Sequence, residues 1–331
     1  MNNISLLDYE SLSAMANYST ITRPVYVASM EDKPNSTGKT QVMIKVKDGV
    51  DINTVAIFDS TVHELKDRYP FFTEGSVVIM NITKKDPYYN ATSSIQEVVE
   101  QIDLSDIADK ATDNPEAFWN YIVDRVRKAS AEKGENEFEP LSTLVSNIYE
   151  KYKDALLWSS SAVANHHMGI SGNIVHTAEV LNICESLLGT CLGKDVDAEC
   201  LLASAALHDV GKIMVYETDK VGVTSLTMNG YVMGGHHWDS MRIVYEEAKN
   251  GNYNPESIMI LQNAIASHHG SREFGDISEP LGLEAVWLNM ADDLSAKHYE
   301  IKKVIESIEP GSVTPKKVYP LDHKVYRRMR Q

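Results

Sequence analysis

The histidines of this chain are concentrated in one stretch of its sequence. Eight of the 11 histidines lie between His166 and His269, and one of them opens the dipeptide His208-Asp209 inside an apolar run. Imidazole nitrogens and carboxylate oxygens bind Mn, Fe, Zn and Ni, and a carboxylate can bridge two ions. The pattern therefore predicts a site for one or two divalent ions. In chain order, the candidate ligands are His176, His208, Asp209, His236, His268, His269 and Asp292.

The surroundings of the dipeptide give a physical reason to expect a cation. His208 and Asp209 follow an almost entirely apolar helical segment, and a buried Asp is rare unless it is paired or bound to a metal. Lys212 lies about one helical turn after His208. A single lysine would compensate the negative charge of a buried carboxylate only weakly. Later in the chain, spacing alone leaves open whether Asp292 or Asp293 points inward.

The elements that must hold these residues change type along the chain. Residues 24–104 alternate apolar and polar side chains and carry turn residues between the runs, which predicts strands near 24–29, 41–46, 55–60, 76–82 and 94–102. A helical pattern at 61–70 separates the third strand from the fourth. A five-stranded Greek-key barrel with a helix at that position is the order of an OB-fold. We therefore predict an OB-fold β-barrel over residues 1–104.

From residue 105 onward the apolar period becomes helical, most clearly at 107–129 and 141–158. This predicts an all-α domain over 105–331, so that the fold class is α+β with two domains. Residues 105–160 form its helical lead-in and 312–331 a basic tail. The tail either contacts a substrate backbone or packs against the acidic surface of the chain itself.

Composition limits the classes of partner. The net charge of -16 disfavours binding of nucleic acid over a large basic surface, because such binding depends on Lys and Arg. No apolar stretch approaches the roughly 20 residues of a membrane span, and the N-terminus has no signal-peptide pattern, so a cytoplasmic location without membrane contact is expected. Cys184, Cys191 and Cys200 show no CxxC spacing and are expected to be buried thiols.

The order H…HD…H…HH…D resembles the HD-domain metal-dependent phosphohydrolases. The strings NHHMGISGNIVHTAEV, ALHDVGKI, SHHGSREFG and ADDLSAK narrow the resemblance to the YhaM-like 3′→5′ exoribonucleases, which join an OB-fold to an HD domain. The resemblance spans most of the chain. It implies that the candidates named above bind the metal, with His269 as a further ligand. Of the two adjacent aspartates, it implies that Asp292 and not Asp293 is the ligand.

The resemblance also implies roles for other residues. Asp209 and Lys212 are the candidate catalytic residues, and Lys212, Arg272 and Lys297 are the candidates for binding substrate. His166 and His167 precede the first ligand and are expected to lie behind the ligands, supporting them. The irregular string GYVMGGHHWDS leaves open whether His236 or His237 is the ligand.

The implied activity is metal-assisted hydrolysis of a phosphodiester. It would release nucleoside monophosphates from the 3′ end of single-stranded RNA, and single-stranded DNA is a second polymer of the same kind. Mn²⁺ is the expected activator, and Fe, Ni, Zn and Mg also suit such sites. Tyr26 and Phe58 are each either base-stacking residues of the barrel or part of its core. A homo-oligomer is one candidate assembly.

Two other functions remain open. The string from Ser171 to His176 departs from the usual family pattern, and Ser295 replaces a common Asp, so the substrate can instead be a cyclic nucleotide, a cyclic dinucleotide or a nucleoside polyphosphate. Against the cyclic dinucleotide, the string after His269 lacks Gly-Tyr-Pro. The third function is a non-enzymatic OB-fold adaptor for nucleic acid, which the complete ligand set disfavours.

Overall fold

The structure is a computed structural model, and it describes residues 5–100, 102–134, 137–163, 167–318 and 321–329. The chain divides into two compact units. The first comprises Met1–Ala108 with Asp219–Val223, and the second comprises Asp109–Thr218 with Thr224–Gln331. The limits drawn from the sequence, 1–104 and 105–331, stay a prediction about domains.

Five strands of the first unit form a closed barrel. Strand neighbours follow the order β1-β2-β3-β5-β4, and β3 and β5 pair in parallel while the other neighbours are antiparallel. The alternation that predicted the second strand corresponds to burial, because Val42, Ile44 and Val46 are fully buried in the barrel core. The strands are β1 (Thr20–Pro34), β2 (Thr40–Lys47), β3 (Ile52–Phe58), β4 (Val77–Lys85) and β5 (Tyr88–Glu97).

Helix α1 (Val62–Arg68) lies between β3 and β4, where the sequence predicted it. Its first turn is closed by a capping box, in which the Thr61 side chain accepts from Glu64 N and the Glu64 side chain accepts from Thr61 N. The fifth strand was predicted at 94–102, which includes residue 101 outside the described part of the chain, and the prediction overlaps the observed strand only at 94–97. The strand runs from Tyr88 to Glu97, and Ile95 is its one buried residue, so most of the strand carries no apolar pattern that could reveal it.

The segment Asp219–Val223 belongs to the first unit although it is distant from the barrel in sequence. Val221 is buried there with Leu6 and Ile107. Tyr26 is in the same cluster, 1% exposed, and its hydroxyl donates to Asp219 Oδ2 at 2.9 Å. Tyr26 is therefore a core residue and not a surface for stacking bases.

The second unit is helical, with one small hairpin. The predicted helix at 107–129 begins later than expected, because Pro115 takes the first helical position and the Asn114 side chain accepts from Ala117 N. The elements are α2 (Pro115–Lys133), α3 (Leu141–Lys151), α4 (Lys153–Trp158), α5 (Gly172–Leu188), α6 (Ala198–Leu207), α7 (Lys212–Val215), β6 (Tyr216–Thr218), β7 (Thr224–Leu226), α8 (Met228–Met233), α9 (His237–Ala248), α10 (Pro255–Ala266) and α11 (Leu283–Glu306).

The basic tail folds back on itself over its described residues. Val313 and Val318 bridge to Tyr326 and His323, and the Arg327 guanidinium donates to Ile308 O at 2.6 Å. The described part of the tail is therefore held by contacts to itself and to the end of the preceding helix, and both interpretations of its role stay predictions.

Two smaller expectations have separate outcomes. None of the helices in the described part of the chain combines the length and the apolar composition that crossing a bilayer requires. Cys184 and Cys200 are buried as expected, but Cys191 is exposed, so the expectation for that thiol was wrong.

Candidate metal centre

Helix α6 carries the dipeptide His208-Asp209 into the core of the second unit. The helix is capped by Asp197, whose side chain accepts from Cys200 N at 3.0 Å. All its residues from Glu199 to Leu207 are buried, so it runs through the core and not along the surface. Both side chains of the dipeptide are consequently removed from solvent, with His208 fully buried and Asp209 1% exposed.

Gly211 lets a second segment approach this dipeptide closely. A Cβ atom at this position would lie 2.4 Å from both His236 O and Ser240 N, which is too close for any other residue. The Gly211 N–H also donates to Ser240 Oγ at 2.8 Å. The glycine of the HDVGK string therefore allows the start of α9 to lie directly against Asp209.

Four side chains from three parts of the fold form a first group: His176, His208, Asp209 and Asp292. His176 comes from α5 and Asp292 from α11, and His176 Nε2 lies 2.9 Å from Asp292 Oδ1 and 3.5 Å from Asp209 Oδ2. His208 Nε2 is 3.2 Å from Asp209 Oδ2 and 3.9 Å from Asp292 Oδ1. The geometry also decides between the two adjacent acids, because Asp293 pairs with the partly exposed Lys297 instead.

A second group, called here the histidine cluster, consists of His236, His237, His268 and His269. One ring nitrogen of each lies within 4.8 Å of one ring nitrogen of each of the others. Two members also face Asp209, since its Oδ1 is 2.9 Å from His236 Nε2 and 3.7 Å from His268 Nε2.

Asp209 is therefore shared between the two groups. Its Oδ2 faces the first group and its Oδ1 faces the histidine cluster. A carboxylate placed in this way can hold two ions side by side, which is a common arrangement in two-metal hydrolytic sites.

Hydrogen bonds around the rings determine which nitrogen of each imidazole remains an acceptor. The Nδ1–H groups of His208, His268 and His269 point to backbone carbonyls at 2.8, 2.7 and 3.0 Å. Each bond leaves Nε2 as the nitrogen with a free lone pair. Among the described residues, no donor reaches His208 Nε2 in hydrogen-bonding geometry, and Lys212 is the one ammonium that lies beside Asp209, at 2.6 Å from its Oδ2. Buried acceptors without donors are rare, and a divalent ion would satisfy them.

Electrostatics favours the same protonation states. Burial raises the pKa of Asp209, but the nearby His208, Lys212 and His236 outweigh it and hold that pKa well below its usual value. Burial also lowers the pKa of His236 to about 4 and that of His268 well below its usual value. At neutral pH Asp209 is therefore a carboxylate and His236 and His268 are neutral imidazoles, which are the forms that bind metals.

Behind His176 lies a chain of polar contacts. His176 Nδ1 is 3.2 Å from Ser295 Oγ, and the Ser295 hydroxyl donates to Glu179 Oε2 at 3.0 Å. The same Glu179 oxygen is 3.0 Å from His167 Nε2. His167 thus lies next to the candidate ligands, as the sequence predicted, while His166 lies outside the described residues.

The residues predicted to bind substrate are in different settings. Lys212 is 5% exposed, with its Nζ 2.6 Å from Asp209 Oδ2 and 3.2 Å from Ser161 Oγ. By contrast, Arg272 is largely exposed and faces Glu279 at 3.8 Å. Lys297 is also partly exposed, on α11, where it pairs with its helical neighbour as described above.

Sequence reasoning did not identify four polar residues at the site. Glu179 lies one turn after His176 on α5, so its spacing was visible, but its partner Ser295 was read only as a departure from the family pattern. Ser161 and Asp276 reach the site from loops, and Asp276 Oδ1 lies 3.0 Å from His237 Nε2. No periodicity marks residues of this kind.

Comparison with known proteins gives matches to the sequence. Residues 173–297 match the HD domain family. The 3′-5′ exoribonuclease YhaM of Shouchella clausii is 31% identical over 179 residues, which are 54% of this chain and 54% of that protein. The 3′-5′ exoribonuclease YhaM of Bacillus licheniformis is 29% identical over 186 residues, 56% of this chain and 57% of that protein.

Among solved structures, Entamoeba histolytica asparaginyl-tRNA synthetase aligns at 12% identity over 48% of this chain and 37% of its own, with a TM-score of 0.20, which is too low to support an inference. The chain spans about half the length of the curated relatives that it matches. Within that limit, the matches confirm the resemblance to YhaM-like exoribonucleases that the motifs indicated.

Proposed function

We propose that this chain is a metal-dependent phosphohydrolase with two adjacent ion sites. The first site consists of His176, His208, Asp209 and Asp292, and the second of Asp209, His236, His268 and His269. The observation that carries this proposal is the position of Asp209, whose two oxygens face different ligand groups at 3.2 and 2.9 Å. Mixed nitrogen and oxygen ligands suit Mn²⁺ or Fe²⁺, and we take Mn²⁺ as the working activator.

The catalytic contribution of the chain itself comes mainly from Lys212 and Asp209. Divalent ions in such sites act as Lewis acids that make water a competent nucleophile near neutral pH and neutralise charge on phosphate oxygens. Lys212 adds a buried positive charge directly beside Asp209, where it can donate a hydrogen bond to a non-bridging phosphate oxygen. Ser161 limits the freedom of the Lys212 ammonium, so the donor is positioned before substrate arrives.

We further propose that the substrate is the 3′ end of single-stranded RNA, with release of nucleoside monophosphates, and that single-stranded DNA is also accepted. Supporting this, both relatives named above carry the name 3′-5′ exoribonuclease.

The first unit supports a polymer substrate. Its strand order and the helix between β3 and β4 are those of an OB-fold, which we propose it to be. A groove of about 830 Å³ crosses β2, β3 and β5. Phe58 and Tyr88 line it and are 46% and 71% exposed. Exposed rings in a groove offer platforms on which bases stack without sequence preference.

The test is product analysis on RNA labelled at its 5′ end, with and without Mn²⁺. We expect the label to shorten stepwise from the 3′ end, with monophosphates released, and Asp209→Ala to abolish the reaction. Asp239→Asn is the matched control. Asp239 is a buried carboxylate of the same unit, bonded to Arg242 at 3.0 Å outside the ligand groups, and this variant should remain active.

Two results would overturn the proposal in different ways. Intact RNA alongside rapid cleavage of a cyclic nucleotide, a cyclic dinucleotide or a nucleoside polyphosphate would retain the hydrolase and remove the polymer substrate. Purified protein without bound transition metal, together with unchanged properties of His208→Ala, would instead favour the non-enzymatic adaptor.

A further inference from the structure

His237 occupies a place where an ordinary core would have an apolar residue. It is the first residue of α9 and is 4% exposed. Its ring stacks on His236 and His268, with centroids 4.6 and 4.4 Å apart and interplanar angles of 25° and 23°. It meets His269 edge to face at 4.5 Å. The ring is therefore enclosed by the other members of the histidine cluster.

Such a group of imidazoles is costly without a common partner. His236 Nε2 and His268 Nε2 are 3.1 Å apart, although the Nδ1–H of His268 is already used by Ile265 O. Two ring nitrogens that close must share a proton or a cation. Protonation of all the rings is excluded by their mutual repulsion, whereas one cation would satisfy several lone pairs at once.

Asp276 fixes the outer side of this cluster. Its Oδ1 lies 3.0 Å from His237 Nε2 and accepts from the His269 N–H at 3.1 Å. Asp276 thus holds the backbone of one member of the cluster and lies directly beside the ring of another, and it is itself 7% exposed. A carboxylate next to the outer nitrogen of an imidazole is a typical neighbour of metal-binding histidines.

We propose that His237 is a metal ligand, and that it makes the histidine cluster a subsite for a transition ion that prefers nitrogen. Asp276 acts as its positioning residue. A set of four imidazoles with one shared carboxylate suits Zn²⁺, Ni²⁺, Co²⁺ or Fe²⁺ and disfavours Mg²⁺ and Ca²⁺. The first group, with its two carboxylates, suits harder ions such as Mn²⁺. The inference rests on the proposed metal-dependent function and adds a second, chemically distinct ion preference to it.

The test measures metal binding directly on the full chain. Protein stripped by a chelator is titrated with Ni²⁺, Zn²⁺ or Mn²⁺ in a calorimeter, and bound ions are counted by elemental analysis. We expect His237→Phe, which keeps a planar ring, to weaken Ni²⁺ and Zn²⁺ binding at least 100-fold and to leave Mn²⁺ binding within threefold. Asp276→Asn should weaken Ni²⁺ binding about 10- to 100-fold.

The control is His63→Phe, because the His63 side chain is 85% exposed on α1 and should affect none of the titrations. If His237→Phe does not fold, His237→Gln replaces it, with the same expectation. Unchanged Ni²⁺ and Zn²⁺ binding in a folded variant would overturn the inference. The outcome is separable from the proposed function, since loss of RNA hydrolysis in the wild type would not alter the Ni²⁺ titration, and unchanged titrations would not alter hydrolysis.

Discussion

Replacing Asp209 by Asn tests whether one carboxylate serves both ion sites. The variant keeps the size and shape of the side chain but removes its charge, so each group loses the same anionic ligand. An ion that binds the folded state only, present at 100 times its Kd, stabilises that state by about 2.7 kcal/mol. The second unit is in the size class for which 1 kcal/mol moves Tm by about 2–4 °C, so we expect one ion to raise Tm by about 5–11 °C.

The variant should lose most of this shift. Removing even an outer partner of a ligand weakens metal binding 10- to 100-fold, and loss of a shared ligand should cost no less. A Kd raised 100-fold leaves about 0.4 kcal/mol at the same ion concentration, which is a shift of 1–2 °C. The metal-free variant should also melt below the metal-free wild type, because Lys212 stays buried without its counter-ion, at a cost of about 3–5 kcal/mol.

The assay is thermal melting followed by circular dichroism, with Mn²⁺ or with EDTA, so that each protein is compared with itself. Asp239→Asn is again the control and should retain the full shift. If Asp209→Asn shows the same metal-induced shift as the wild type, Asp209 is not a shared ligand, and the two-site arrangement is refuted.

Three further substitutions separate the roles of other residues. Lys212→Gln should lower kcat about 100- to 1000-fold while elemental analysis finds the same bound Mn²⁺; equal loss of metal would make it a structural residue. Ser295→Ala should weaken Mn²⁺ binding about 10- to 100-fold in calorimetry, because His176 loses its link to Glu179, and unchanged affinity would contradict that link. Phe58→Ala should raise the Kd for oligonucleotides about 5- to 150-fold in fluorescence anisotropy without changing cleavage of a small nucleotide, and unchanged binding would exclude this ring from the RNA path.

The parts of the fold that could be predicted are those in which buried positions recur at a regular spacing along the sequence. Val42, Ile44 and Val46 alternate with polar residues because one side of β2 faces the barrel core, and this period is visible in the sequence. In β5 only Ile95 is buried, so the strand position depended on pairing with β4 and was misplaced. Tyr26 illustrates the same limit, since its burial depends on a segment almost 200 residues later in the chain.

The site divides in a similar way. Candidate ligands could be named because chemistry restricts them to His and Asp and because they follow apolar helical runs. The supporting residues could not, since Asp276, Ser161 and Ser295 act through contacts that only the folded chain creates. His237 was one of two alternatives for a single place, and the structure gives both histidines a buried position, with His236 facing Asp209 and His237 facing Asp276.

Burial has two opposite effects at this centre, and together they allow the proposed metal site to lie in the core and not in an open cleft. Placing Asp209 and several imidazoles away from water is unfavourable unless a cation joins them. The same burial keeps His236 and His268 neutral at pH 7, while the surrounding positive potential keeps Asp209 ionised. Ion binding at His236, His268 and Asp209 therefore requires little proton release, whereas the pKa of His208 is raised by Asp209 and Asp292 against the effect of burial, so that ring must give up its proton to an ion. The free energy that the buried groups lack without a cation is recovered when one binds. Metal affinity and stability of the helical unit should thus change together in every ligand variant.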